Sequence, residues 1–266
     1  MSLIRTTINY EYLIFDINNI NYTAYNNPET VEKYSKVSGL QPPEKIILDI
    51  LKPDLSKLRM LDIGVGTGRT TYLFAHLVKE YVVIDYSPLM IEQCKKLFKP
   101  SNNLSFLVND VLDLNGYEDD YFDFVFFGFN GIDYLSHEEQ QTAFENILRV
   151  GKPGGYFCFS THNILSIENL FKFYKQLTPA PKQLIRNIYT WSKLKSLYPE
   201  PEKLYRNRDY VIFNDGSLNF SLVTYYIKPV LQKKELEKNF NNIIVIDSQV
   251  KKINDEELYS VKDNWL

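Results

Sequence analysis

Cysteine is almost missing from this chain of 266 residues; Cys94 and Cys158 are the only two. Two thiols that far apart exclude a disulfide framework and a cysteine-based zinc site. No metal centre is expected. The pair suits a reducing, cytoplasmic compartment. Long apolar runs are also lacking. None approaches the ~18 residues that a membrane-spanning helix needs. A signal-peptide layout is absent, because Arg5, Glu11 and Asp16 interrupt the apolar residues at the start. A strong net charge is missing too, and a formal −3 gives no general attraction to nucleic acid. With three histidines, general-base candidates are few. What is present is a hydrophobic content of 44%, ample for a core, in a length that suits one domain with an elaboration.

Apolar runs of strand length alternate with amphipathic helical stretches. Arg59–Ile63, Tyr81–Asp85, Leu104–Val108, Phe122–Phe127 and Tyr156–Ser160 read as five strands. Between them, Thr70–Val78 reads as a helix with Leu73, Phe74 and Leu77 inward. Ser87-Pro88 starts a second, a capping side chain followed by proline at the first helical position. Its buried stripe is Met90, Ile91, Cys94, Leu97 and Phe98. Ser136-His137-Glu138-Glu139 has the spacing of a capping box, opening a helix with Ala143, Phe144, Ile147 and Leu148 inward. Glu44–Leu51 is a further helix. This alternation predicts a parallel sheet covered on both faces.

The rhythm breaks at 163–208, which reads as two helices split by Thr178-Pro179-Ala180-Pro181. A hairpin follows, Tyr210–Phe213 and Leu218–Ile227 joined across Asn214-Asp215-Gly216. Residues 163–227 are therefore expected to be an inserted cap. Residues 1–41, rich in Asn and Tyr, read as an N-terminal lid segment. The main domain then comprises 42–162 and 228–266, with a last helix at Pro229–Phe240 and a strand at Ile243–Asp247.

The most informative stretch is Asp62-Ile63-Gly64-Val65-Gly66-Thr67-Gly68-Arg69. Alternating glycines between a strand and a helix let the backbone come close to a ligand, in dihedrals barred to other residues. A dinucleotide fingerprint needs G-x-G-x-x-G, and Arg69 stands where its third glycine belongs. Asp62 would repel a pyrophosphate and can face a cationic or amine-bearing group.

The pattern D-x-G-x-G-x-G resembles motif I of the class I S-adenosylmethionine-dependent methyltransferases. Three more segments resemble that family in order. Asp85 ends the second strand at the acidic position that holds the ribose hydroxyls. Asn109-Asp110-Val111 falls where the family reads adenine. Arg149-Val150-Gly151-Lys152-Pro153-Gly154-Gly155 looks like its turn before strand five. The resemblance covers roughly 40–160 well, and 229–247 in outline. It implies a Rossmann-like α/β fold with a sheet in order 3-2-1-4-5-7-6 and strand seven antiparallel. Here the sequence departs, because the chain turns polar after Asp247 and Trp265-Leu266 only begin an apolar run. Strand seven is expected to be truncated or replaced.

The resemblance implies S-adenosylmethionine as cofactor and S-adenosylhomocysteine as product. It places cofactor contacts at Asp62, Ile63, Gly64, Gly66, Thr67 and Gly68 in the loop, and at Asp85, Tyr86 and Met90 after strand two. Asp110 and Val111 after strand three, and Phe127 and Gly128 at the end of strand four, complete the set. Tyr34 is expected to close over the methionine end, though helix packing is open to it as well.

For catalysis, His162 follows strand five at the rim where ligands enter such sheets. Asp133 and Tyr134 are placed to orient an acceptor. His137 reads as a solvated helix start, and His76 as structural. Residues 163–208 carry nine Lys or Arg against three Glu, so the cap is about +6 and the rest about −9. A basic cap attracts an anionic substrate, or is a solvated face. The expected activity is methyl transfer to an oxygen or nitrogen of a small, possibly anionic, molecule. The alternatives are a nucleic-acid or protein methyltransferase docking through the cap, and a cofactor-binding protein without transfer.

Overall fold

The computed structural model describes residues 17–37, 39–99 and 101–266. The part of the N-terminal segment before Ile17, Arg5, Glu11 and Asp16 included, lies outside the described residues. Five parallel strands form the central sheet in the order β3-β2-β1-β4-β5. They are β1 (Arg59–Ile63), β2 (Glu80–Asp85), β3 (Leu104–Val108), β4 (Phe122–Phe127) and β5 (Gly151–Phe159). The three central strands are apolar on both faces because helices cover both, as a parallel sheet requires. The edge strands are less buried, with Leu107 and Val108 of β3 and Tyr156 of β5 exposed.

Alternation along each strand sorts the core into two layers. Leu61, Ile63, Val82, Ile84, Val125 and Phe127 pack with Ala143, Phe144 and Ile147 of helix α6 (His137–Val150). Met60, Tyr81, Val83, Phe124 and Phe126 point the other way. They meet Leu51 of α3 (Pro42–Leu51), Phe74 of α4 (Thr71–Phe74), and Ile91 and Cys94 of α5 (Pro88–Leu97). Asp62 shares the parity of Met60, so its carboxylate goes into this second layer.

Both expected helix starts are present. Ser87 accepts from Met90 N–H, and Ser136 and Glu139 form a reciprocal capping box. Three inward assignments fail. Leu77, Leu97 and Leu148 are exposed, and α4 ends at Phe74, where Ala75 and Val78 take the buried positions instead.

Helices α1 (Ile17–Tyr25) and α2 (Pro28–Tyr34) lie across the C-terminal tips of the strands. Ala24, Tyr25 and Val31 pack there against Met90 and Leu222. The inserted region holds one long helix, Pro181–Leu197, and an antiparallel hairpin of β6 (Tyr210–Phe213) and β7 (Thr224–Ile227). The second hairpin strand is shorter than expected. The chain turns left-handed at Leu218, Asn219 and Phe220, with φ of 47°, 59° and 67°. The Asn21 side chain then donates to Val223 O (2.9 Å) and accepts from Val223 N–H (3.0 Å), standing in for a strand neighbour.

Past strand five, the family's further strands seven and six are not formed among the described residues. Val245–Ile246 pairs instead with Lys252–Ile253 in a small antiparallel ribbon. Asp247 drives this local return, since its carboxylate accepts from the Gln249 and Lys251 N–H groups. Beyond β5, residues 161–163 run between Ile227 on one side and residues 264–266 on the other. Thr161 and Leu266 there exchange backbone hydrogen bonds of 3.0 and 3.1 Å. No helix among the described residues is long and apolar enough to cross a membrane.

Candidate cofactor and acceptor site

Parallel strands bring their following loops to one edge, and there the glycine stretch forms a cradle. Gly64 and Gly66 have φ of 64° and 59°, in the left-handed region. A Cβ on Gly66 would project toward Tyr34, whose Cδ1 lies 3.9 Å from that position. The Gly66 N–H donates to Asp85 Oδ2 (2.8 Å) and the Ser87 N–H to Asp85 Oδ1 (2.8 Å). One carboxylate thus ties the glycine loop to the start of α5. Burial pushes the Asp85 carboxyl up to about 7, against the pull of these two N–H donors. Burial likewise raises Asp62 to about 6, opposed by hydroxyl donors from Thr70 (2.5 Å) and Tyr81.

Above the loop lies a cavity of about 400 Å³. It crosses the tips of β3, β2, β1 and β4 in turn. Asn109, Asp110 and Val111 wall it after β3, and Asp85, Tyr86 and Met90 after β2. Ile63, Gly64 and Gly66 wall it after β1, and Phe127, Gly128 and Tyr134 after β4. A smaller recess of about 40 Å³ adjoins it, sharing Tyr34, Gly64 and Gly66 and adding Asp62, Thr67 and Arg69. Of the residues expected to contact a cofactor, only Gly68 faces neither space. An added Cβ there would strike the Phe98 ring, so this glycine answers to packing.

The catalytic expectations divide. Tyr134 lines the cavity. His162, expected at the rim, and Asp133, expected to orient an acceptor, come together but are not among the residues that wall the cavity. Asp133 is fully buried, and its Oδ1 accepts from Thr161 Oγ1 (2.7 Å). Its Oδ2 accepts from the His162 N–H (2.6 Å) and from Nδ1–H (2.7 Å). Nε2 then faces Asn130 Nδ2 at 3.2 Å, and the Tyr226 ring packs on the imidazole at 4.8 Å. Both ring nitrogens are therefore engaged within the protein. The main cavity is walled by Asn18, Asn21, Tyr22 and Tyr25 of α1, and by no residue of 163–227.

Arg69 is the residue whose role the sequence did not disclose beyond its replacing a glycine. Its guanidinium grips Glu44 of α3 through two bonds of 2.6 and 2.7 Å, donates to Gly39 O (2.9 Å) and lies over the Phe129 ring. Glu44 also accepts from the Gln41 N–H (2.7 Å), closing the cap of α3. The pair fastens α3 to the glycine loop.

The residues present suit an S-adenosyl nucleoside. Carboxylates stand where a diol and an exocyclic amine need acceptors, and backbone stripped of side chains lies between them. Residues 60–155 match the model for a methyltransferase domain. The chain is 29% identical over 116 residues to the putative methyltransferase YqeM of Bacillus subtilis, covering 43% of this chain and 47% of that protein. It is 35% identical over 89 residues to magnesium-protoporphyrin O-methyltransferase of Rhodobacter capsulatus, 31% of this chain and 40% of the other. It is 30% identical over 136 residues to a tRNA N(3)-methylcytidine methyltransferase of Schizosaccharomyces pombe, 47% of this chain and 43% of the other. The matched stretch spans under half the length of these three relatives. In fold, the chain is similar to an S-adenosylmethionine-dependent methyltransferase from Mesorhizobium loti. The TM-score is 0.53 at 16% identity, over 76% of this chain and 82% of that one.

Proposed function

We propose that this chain, whose residues 60–155 match a methyltransferase domain, is a class I S-adenosylmethionine-dependent methyltransferase and transfers a methyl group to an oxygen or nitrogen of a small molecule. The observation that carries this is the single cavity running from Asp110 and Asp85, past the glycine cradle, to Tyr134. Bound there, the cofactor supplies an electrophilic methyl group on a sulfonium. The protein's part is to align and desolvate the two reactants. Asp110 would take the adenine amine, Asp85 the ribose hydroxyls, and Gly64 and Gly66 the methionine end, with Tyr34 closing over it. Tyr134 faces the acceptor. We assign Asp133 and His162 to holding residues 129–134 against the end of β5.

The small acceptor is favoured over a polymer because α1 and α2 roof the cavity. The basic residues of the cap, Lys182 and Arg186 among them, lie outside its walls. An anionic substrate drawn in by the cap therefore loses its basis. Calorimetric titration with S-adenosylmethionine, S-adenosylhomocysteine and NAD tests the reading. The first two should bind and NAD should not; preferential NAD binding sinks it. A steep salt dependence of RNA or DNA binding, abolished by Lys182→Gln and Arg186→Gln, would instead favour a polymer acceptor.

A further inference from the structure

We propose that the acceptor end of the cavity is a tyrosine box for an amine, resting on the methyltransferase reading above. Five tyrosines among the described residues line the cavity: Tyr22 and Tyr25 from α1, Tyr34 from α2, Tyr86 after β2 and Tyr134 after β4. Tyr25 stands at their centre, edge-on to Tyr134 at 5.1 Å, Tyr34 at 5.7 Å and Tyr86 at 6.5 Å. Tyr22 meets Tyr86 at 5.6 Å and an interplanar angle of 65°. Rings so steeply inclined turn their faces in several directions and form a cup.

The cup is neutral and its hydroxyls are spoken for or idle. Tyr25 and Tyr34 share a hydroxyl contact of 3.3 Å, and the buried Tyr86 hydroxyl has no hydrogen-bond partner. Burial pushes the Tyr25, Tyr34 and Tyr134 phenols up from their ordinary range, so they keep their protons. Among the described residues, the formal charges on the cavity wall are Asp85 and Asp110, with no Lys or Arg beside them. Arg69 faces the smaller recess and is held by Glu44. Asn21, the polar side chain nearest in sequence, is used on Val223 and Tyr134 O. Among the described walls an anion finds no counter-charge. A cation finds ring faces, whose quadrupoles attract it.

A free amine is the acceptor that uses this. Its lone pair forms the new nitrogen–carbon bond as the methyl–sulfur bond breaks, and sulfur keeps that bond's electrons. Positive charge passes from sulfur to nitrogen, inside the ring of π-faces. A primary or secondary amine then gives one proton to water as product leaves.

The test uses choline as a probe of the charged nitrogen and 3,3-dimethyl-1-butanol as its neutral isostere. Each is titrated into the full chain with and without S-adenosylhomocysteine. Choline should bind about tenfold tighter than the isostere, as a desolvated cation–π site predicts. Tyr25→Leu and Tyr134→Leu should each bring the two probes within about threefold, while Tyr25→Phe keeps the preference because the ring face survives. Equal affinity of the two probes for the parent protein overturns the box. So does a preference that persists in both Leu variants while the advantage of S-adenosylmethionine over S-adenosylhomocysteine falls, for the rings would then serve the sulfonium alone. Failure of S-adenosylhomocysteine to bind at all overturns the methyltransferase reading. The probe preference without it still decides the box.

Discussion

The Arg69–Glu44 pair gives the sharpest quantitative test of how this site is held. The two side chains are 10% and 9% exposed, so both charges are essentially out of water. Arg69→Met keeps much of the apolar stem and removes the guanidinium. Glu44 is then left with the Gln41 N–H as its sole partner among those described. Removing one member of a buried pair costs about 3–5 kcal/mol, because the survivor is a buried charge without its counterpart. An unfolding entropy of roughly 2.1 cal/mol/K per residue over 266 residues gives about 0.56 kcal/mol/K. The expected fall in Tm is therefore about 5–9 °C, read by calorimetry or near-ultraviolet dichroism. Arg69→Met/Glu44→Leu should recover more than half of that loss, since two apolar groups replace the pair. Cofactor affinity should fall in Arg69→Met in parallel, because the glycine loop loses its anchor to α3. A loss below about 1 kcal/mol would mean that the pair behaves as a solvated surface contact and fixes nothing.

Asp85 makes stability and binding depend on pH in opposite senses. Its folded value of about 7 lies above the ordinary carboxylate range, so without cofactor the native state holds the proton more tightly than the unfolded chain. Stability should fall as pH rises from about 4 to about 7 and then level off. Asp62, at about 6, contributes in the same direction. Urea unfolding across that range should show a shallower slope in Asp85→Asn. S-Adenosylhomocysteine should bind that variant about 1–3 kcal/mol more weakly, with ribose hydroxyls left unpaired. Gly66→Val places a branched side chain at φ of 59° facing Tyr34; it should cost about 1–2 kcal/mol of stability and abolish cofactor binding. Normal binding by that variant would place the ligand elsewhere. His162→Gln should lower Tm and leave turnover per folded molecule within about threefold, well short of the 10²–10⁴ that a general base supplies. A loss of a hundredfold with an altered pH–rate profile would restore His162 to catalysis.

The sheet and its binding loops were legible in the sequence because each rests on a short-range rule. Buried parallel strands need mainly apolar runs, and β1, β2 and β4 have them, with Asp62 and Asp123 as the interruptions. Gly64 and Gly66 mark left-handed backbone, and Ser87-Pro88 and Ser136–Glu139 mark helix starts. Asp85 could be placed because the end of β2 fixes its position. Where the reading failed, the deciding partner was distant in the chain or a carboxylate turning its own neighbours. Asn21 pairs with Val223 across 202 residues and so shortens a strand that the local pattern carried back to Leu218. Asp247 curls its own neighbours into a small ribbon and withholds Val245–Ile246 from the main sheet. Arg69 was visible only as a missing glycine, since nothing local announces Glu44.

The choice of which elements wall the cavity has the same origin and a functional consequence. A block of basic residues after strand five sits, by topology, beside the entrance, and charge alone argued for an anionic guest. The walls are set instead by which helices pack across the strand tips. The packing of Tyr25 and Val31 with Met90 and Leu222 brings α1 and α2 there. Tyr22, Tyr25 and Tyr34 of the segment read as a lid thereby become part of the lining, and the lysines of the insertion are left outside. The charge that matters to a guest is the charge on the wall. Among the described residues that charge is two carboxylates, Asp85 and Asp110, among phenols, which fits the reading of the cap as a solvated face.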